Sequence, residues 1–83
     1  MPLYMDIHRN VEGLTDQAIA EAHQKDLEVQ DQHGVKSVGY WYNRNQGTVF
    51  CLFEAPSAGA AKAVHRESHG MMPTEVIEVT AGH

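Results

Sequence analysis

The stretch VKSVGYWYNRNQGTVFCLFE, residues 35–54, predicts a β-hairpin around which the rest of the chain is arranged. Residues 35–42 are rich in β-branched and aromatic side chains, and residues 48–54 form a second run of the same character, as strands do. Between them, residues 43–47 contain two asparagines and a glycine, a composition typical of a turn. The sequence therefore places two antiparallel strands in the middle of the chain.

A strand and a helix are predicted on each side of this hairpin. Before it, Leu3–His8 alternates apolar with polar side chains, as a strand does, and residues 16–33 indicate a helix ended by Gly34. After it come an alanine-rich helix at residues 58–69 and a last strand at residues 75–79. The order β-α-β-β-α-β predicts a ferredoxin-like α+β fold, an antiparallel sheet with two helices on one face.

The size of the chain favours a homodimer. With 83 residues, we expect one ferredoxin-like domain over residues 1–83, with a core that is sufficient but leaves a modest margin of stability. The sheet face without helices must be covered or solvated, and we expect Trp41 and Tyr4 to lie on it. Because an aromatic sheet face favours a partner, face-to-face pairing of two copies is the expected arrangement.

Charge and cysteine content limit the partners further. Eleven acidic residues against six Lys and Arg give a formal charge of −5, so we expect cations rather than nucleic acid as partners. The sequence contains neither a signal peptide nor an apolar run of the ~18 residues that a membrane span requires, so we expect a cytoplasmic protein without membrane contact. The single cysteine, Cys51, lies in an apolar run, which predicts a buried structural thiol.

Two pairs of side chains have spacings suited to a metal ion. His65 and His69 are four residues apart, so a helix puts both imidazoles on one face, where they can share a zinc, copper or nickel ion. The alternative is that they are only polar residues of a solvated helix face. Asp6 and His8 share one face of the first strand and form a second candidate pair, with an ordinary solvent-facing pair on an outer strand as its alternative.

The first helix carries a carboxylate on its apolar side. On a helical wheel Asp26 falls between Ala22 and Ile19, where it is costly unless a hydrogen bond or an opposite charge meets it. His23 lies three residues earlier, next to Asp26 on the helix surface. The pair can belong to a metal site as ligand or orienting group, act as a proton-transfer dyad, or form a buried structural hydrogen bond.

The sequence also resembles the DUF4242 family of small ferredoxin-like nickel-binding proteins. The shared motifs are MDIH (5–8), AHxxDL (22–27), GV (34–35), GTVFCLxEAPS (47–57) and VHxxxHG (64–70). The resemblance implies a dimer that binds nickel(II), with His8, His23, Asp26, His65 and His69 as the metal-site residues. The chain departs from the family pattern after the last histidine, where its proline comes later and lengthens the loop.

Three functions follow as hypotheses. The first is a protein that binds a transition metal, nickel above all and zinc or copper as possibilities, for storage, sensing or buffering. The second is a small-molecule-binding protein or cofactor-free enzyme resembling the dimeric α/β-barrel proteins, with a pocket between sheet and helices near His23, Asp26, Tyr4 and Trp41. A closed apolar cavity that reaches Asp26 would favour it. The third is a dimeric regulatory or interaction module, and no residue is assigned a catalytic role.

Overall fold

The computed structural model describes residues 1–68 and 70–82. The elements are β1 (Leu3–His8), α1 (Asp16–Val29), a 3₁₀ turn (Gln30–His33), β2 (Lys36–Asn43), β3 (Thr48–Glu54), α2 (Ala58–Ser68) and β4 (Glu75–Val79). The strands pair antiparallel in the order β2-β3-β1-β4, with both helices packed on one face. The predicted ferredoxin-like α+β fold is confirmed. Among the described residues, no helix combines the length and the apolar character needed to cross a bilayer.

The helix ends follow the local sequence closely. Thr15 caps α1 by accepting a hydrogen bond from the Ala18 N–H at 3.1 Å. The predicted continuous helix over residues 16–33 is instead an α-helix followed by a tighter 3₁₀ turn, which ends at Gly34 in a left-handed conformation (φ +66°). The last residue predicted for the second helix, His69, lies outside the described part of the chain.

The helix-facing side of the sheet holds the core. Phe53, Ala61 and Val64 are fully buried there, where β3 meets α2. The register pairs Asp6 of β1 with Cys51 of β3, so the side chains at these positions share the same face. The predicted alternative of an exposed Asp6–His8 pair on an outer strand is wrong, because β1 lies between β3 and β4 and both side chains are buried beneath the helices.

The opposite face of the sheet is mostly apolar, with Glu54 opposite Leu3 and Glu75 opposite Ile7 as its charged members. Register and pleat place a continuous set of apolar side chains on it: Leu3, Met5, Ile7, Trp41, Phe50, Leu52, Ile77 and Val79. Trp41 lies on this face as predicted, 54% exposed, and its ring covers Gly39, where a Cβ would lie 3.4 Å from the indole. The expectation for Tyr4 is wrong, because its position in the pleat turns it to the other face, where it packs against the core.

The loop after β1 is held against the turn between β2 and β3. The Val11 N–H donates to the Gly47 carbonyl at 2.9 Å, which ties the segment after β1 to the β2–β3 turn. Gly47 has φ +64°, and an added Cβ would meet the Val11 carbonyl oxygen at 2.9 Å, so this close approach requires glycine. The tie fixes residues 11–14 as one wall of a cavity next to the candidate site.

Candidate metal centre and adjoining cavity

His65 lies in the interior of the protein. Its side chain is 1% exposed and points from α2 onto the sheet, with its ring centroid 5.0 Å from that of His8 and 5.3 Å from that of Phe53. The alternative of a solvated helix face is therefore wrong for His65. The placement of its predicted partner, His69, is outside the described residues, so the predicted i,i+4 ligand pair stays a prediction.

Two carboxylates hold the His65 ring from opposite sides. Its Nδ1 lies 3.1 Å from Asp26 Oδ1, and its Nε2 forms an ion pair with Asp6 Oδ2. Asp26 also accepts a hydrogen bond from the Ser68 hydroxyl at 2.5 Å. Asp26 and Asp6 are 2% and 0% exposed, so each buried charge depends on this cluster for its compensation.

This arrangement stabilises a positive charge on His65. Burial alone lowers the pKa of its imidazole, but the hydrogen bonds to Asp26 and Asp6 outweigh burial and raise the pKa from 6.5 to about 11. A hydrogen bond with Cys51 adds to the rise. The cluster is thus a buried site that favours a cation, and in the metal-free protein the cation is the imidazolium itself.

Three metal-ligating side chains converge beside these carboxylates. His8, Cys51 and His65 each offer a ligand atom, and the three atoms lie within 4.8 Å of one another. All three residues are buried. Burial raises the pKa of the Cys51 thiol, and the neighbouring His65 partly offsets that rise. A bound divalent ion would act in the offsetting direction as well, because a coordinating thiol is deprotonated by the metal.

The residues present fit a transition-metal ion. Imidazole nitrogen and thiolate sulfur are the donors that zinc, nickel and copper prefer. Asp6, directly across the β ladder from Cys51, has a buried oxygen, Oδ1, without a hydrogen-bond partner among the described residues. A cation at the cluster would compensate that oxygen, while Asp26 would orient His65 from the other side, as carboxylates commonly do for metal-bound imidazoles.

The structure brings three of the predicted site residues together and places a fourth elsewhere. His8, Asp26 and His65 come together in the cluster, whereas His23 lies against Tyr40 with ring centroids 4.5 Å apart. Sequence reasoning assigned Cys51 only a structural thiol, and it did not single out Ser68. The signal for Ser68 was its spacing of three residues from His65, which puts both on one side of a helix.

A cavity of about 130 Å³ opens between α1 and the sheet next to the cluster. His8, His23, Asp26 and His65 contribute to its wall, and most of the rest of the lining is apolar. A pocket thus reaches Asp26, with His23 in its wall, but it opens to solvent and is not the closed cavity that the sequence hypothesis specified. Tyr4 and Trp41 do not line it, because Tyr4 lies farther along the sheet and Trp41 is on the opposite face, and Tyr40 takes their place.

Comparisons with known proteins give the family and support the fold. The chain is similar to the crystal structure of SCO4226 from Streptomyces coelicolor A3(2), with a TM-score of 0.89 and 37% sequence identity over 98% of this chain and 99% of that chain. A search of curated proteins gave no match. Residues 4–79 match the profile of the family described as nickel responsive protein SCO4226-like. The chain therefore belongs to the SCO4226-like nickel-responsive family.

Proposed function

We propose that this protein binds a divalent transition-metal ion, nickel(II) in the first place, at the buried cluster of His8, Cys51 and His65. The observation that carries the proposal is the convergence of three ligand atoms within 4.8 Å of one another, in a region where all three side chains are buried. The description of the family as nickel responsive supports nickel as the ion. The ion is cargo or signal in this proposal, so the role is storage, sensing or buffering.

The electrostatics of the cluster support a cation there. Asp6 and Asp26 flank His65, and the two carboxylates that stabilise its imidazolium would also stabilise a metal ion in place of the proton. Binding would then release protons from His65 and from the Cys51 thiol. Because protons must leave before an ion binds, the site favours ions that bind nitrogen and sulfur strongly.

The donor set alone does not select nickel. Affinity for such a site follows the Irving–Williams order, in which copper exceeds nickel and zinc. Nickel as the natural ion therefore rests on the description of the family. The DUF4242 assignment stays a prediction from the sequence motifs. Copper and zinc are expected to compete in a titration. His23 and His69 stay predicted ligands, and the proposed centre does not require either of them.

Removing the buried ligands is expected to abolish tight nickel binding. In calorimetry of metal-stripped, reduced protein at pH 7.5, the natural chain should bind Ni²⁺ stoichiometrically, and the variants His8→Ala and Cys51→Ala should bind at least about 100-fold more weakly. The matched control is His33→Ala, since His33 is a histidine outside the cluster, paired with Glu67 at 2.9 Å. It should bind nickel as the natural chain does.

Two results would contradict the buried centre. One is tight nickel binding that survives both His8→Ala and Cys51→Ala in protein that circular dichroism shows to be folded. The other is loss of binding in His69→Ala with unchanged binding in the two core variants, which would return the site to the predicted helix pair.

We propose further that a second copy of the chain covers the apolar outer face of the sheet. Trp41 and Ile77 stay 54% and 45% exposed on this face, whereas Ile7 between β3 and β4 is already 8% exposed. Such a contiguous apolar face is unusual on a monomer. A twofold arrangement buries it against an identical face, so the same apolar residues serve both partners.

Charges placed on the outer face should therefore disrupt self-association. Trp41→Lys and Ile77→Lys are each expected to weaken the dimer at least about tenfold, because every lysine must be desolvated against the partner's apolar face. Sedimentation equilibrium measures the association. Leu27→Lys is the control, because Leu27 is 37% exposed on α1, away from this face. A natural chain that sediments as a monomer at high micromolar concentration would refute the proposal.

A further inference from the structure

We infer that the cavity between α1 and the sheet binds a small, uncharged, mostly apolar compound that carries one hydrogen-bond donor, of the size and kind of phenol. The inference does not depend on metal binding, although His8, Cys51 and His65 belong both to the proposed metal centre and to the cavity wall. Three properties of the cavity carry it: its volume, its apolar side walls and its charged inner end.

The volume suits a single aromatic ring. The cavity measures about 130 Å³, and an engineered apolar protein cavity of ~150 Å³ takes up benzene. The space exists because α1 presents alanines, Ala18 and Ala22, where it crosses above the sheet. A leucine at Ala22 would project into the cavity and fill much of it, and a leucine at the exposed Ala18 would narrow the cavity where it meets solvent.

The side walls are apolar and come from separate elements. Val11 and Leu14 contribute from the loop after β1, Ile19 from α1 and Val49 from β3. The loop is held in place by the hydrogen bond between the Val11 N–H and the Gly47 carbonyl, so the wall is formed before any ligand arrives. A preformed apolar pocket with a few polar groups is the usual form of a small-molecule site.

The inner end of the cavity selects the polar group of the ligand. Asp26 and His65 both line it and are 2% and 1% exposed. Since His65 lies between Asp26 and Asp6, the group as a whole has two carboxylates for one imidazolium, a negative balance that repels anions. A buried carboxylate and a buried imidazole at this end of the cavity make it the polar part of an otherwise apolar wall, and a ligand with a hydroxyl group suits it better than a purely apolar one.

The cavity wall is exposed to solvent at residues from the loop after β1, the first turn of α1 and the segment after α2. The exposed members of the wall are Glu12, Gly13, Ala18 and Met71, and Met71 is 42% exposed. A methionine side chain is flexible and adapts to aromatic groups, so it can move aside for a ligand and then pack against it. The acidic Glu12 at the opening adds to the discrimination against anions.

Binding of phenol to metal-free, reduced protein tests the inference. Two-dimensional NMR titration should show saturable shifts for residues of the cavity wall, with a dissociation constant on the order of 0.1 to 1 mM for a ligand of this size. Benzoate, which has the same ring with an anionic group, should bind at least tenfold more weakly. Ala22→Leu and Ala18→Leu should each reduce phenol affinity at least tenfold.

Ala20→Leu is the matched control, because Ala20 is an exposed alanine of the same helix that does not line the cavity. It should bind phenol as the natural chain does, and thermal unfolding checks that every variant is folded. Shifts that do not saturate, equal binding of benzoate, or unchanged phenol affinity in both cavity-filling variants would each overturn the inference. Nickel calorimetry on folded Ala22→Leu separates the two sites, since this variant should keep its nickel affinity whether or not phenol binding is lost.

Discussion

Replacement of His65 by alanine is expected to lower the free energy of unfolding by about 3 to 5 kcal/mol. The imidazole is the partner of two carboxylates, Asp6 and Asp26, that are 0% and 2% exposed. Without it, two buried negative charges lose the cation that lies between them, and the lost ring leaves a void against Phe53. Urea unfolding of metal-free protein followed by circular dichroism measures the change.

His33→Ala is the matched control for this substitution. His33 also pairs with a carboxylate, that of Glu67 at 2.9 Å, but the two side chains are 22% and 48% exposed, so its loss should cost less than about 1 kcal/mol. Asp26→Asn in the His65→Ala background should recover part of the lost stability, because it removes one of the uncompensated charges. A cost for His65→Ala as small as that for His33→Ala would contradict the charge-compensated cluster.

The stability of the metal-free protein is expected to fall as the pH rises above neutral. The pKa of His65 is raised from 6.5 in the unfolded chain to about 11 in the folded protein. The contribution of His65 to the free energy of unfolding is therefore complete below pH 6.5 and is lost as the pH rises through 11. In between, the folded state holds one more proton than the unfolded state, which gives a slope of about −1.4 kcal/mol per pH unit. From pH 7 to pH 8.5 the free energy of unfolding should therefore decrease by about 2 kcal/mol.

The pH range is chosen to isolate His65 from its neighbours. In the part of the chain that the structure describes, Asp6 and His8 on β1, Asp26 on α1 and Cys51 on β3 lie around it. The ordinary thiol pKa of 9.0 lies above the range. Chemical unfolding at several pH values, with a chelator and a reductant present, supplies the profile. The folded variant His65→Gln should lack the slope, and an identical slope in both proteins would show that another group is responsible.

The sequence predicted the elements well because each is marked locally. Alternation identified β1, the cluster of turn residues identified the hairpin, and Gly34 marked the end of the first helix. Which face of β1 meets the helices was harder to derive, because Leu3, Met5 and Ile7 look like the core side and Asp6 and His8 like the solvent side. In the structure the polar side chains of β1 face the helices, because Asp6 forms an ion pair with His65 of α2. The apolar side chains of β1 lie on the face of the sheet without helices.

The site was predictable only in part, for a similar reason. The position of Asp26 in the apolar arc of α1 correctly required a hydrogen-bonding or charged partner, but the nearest histidine along the chain, His23, is not the one that holds it. His65 does so from 39 residues away, a contact that depends on how the two helices pack over the sheet. Cys51 joined the cluster through the β1–β3 register, which no spacing within one segment reveals.

The location of bound nickel tests the central claim most directly. Crystals of the natural chain grown with Ni²⁺ should give an anomalous-scattering peak, recorded at the nickel absorption edge, about 2.0 to 2.3 Å from ligand atoms of His8, Cys51 and His65. Peaks found only at histidines on the surface, with the buried cluster empty at saturating nickel, would contradict the account.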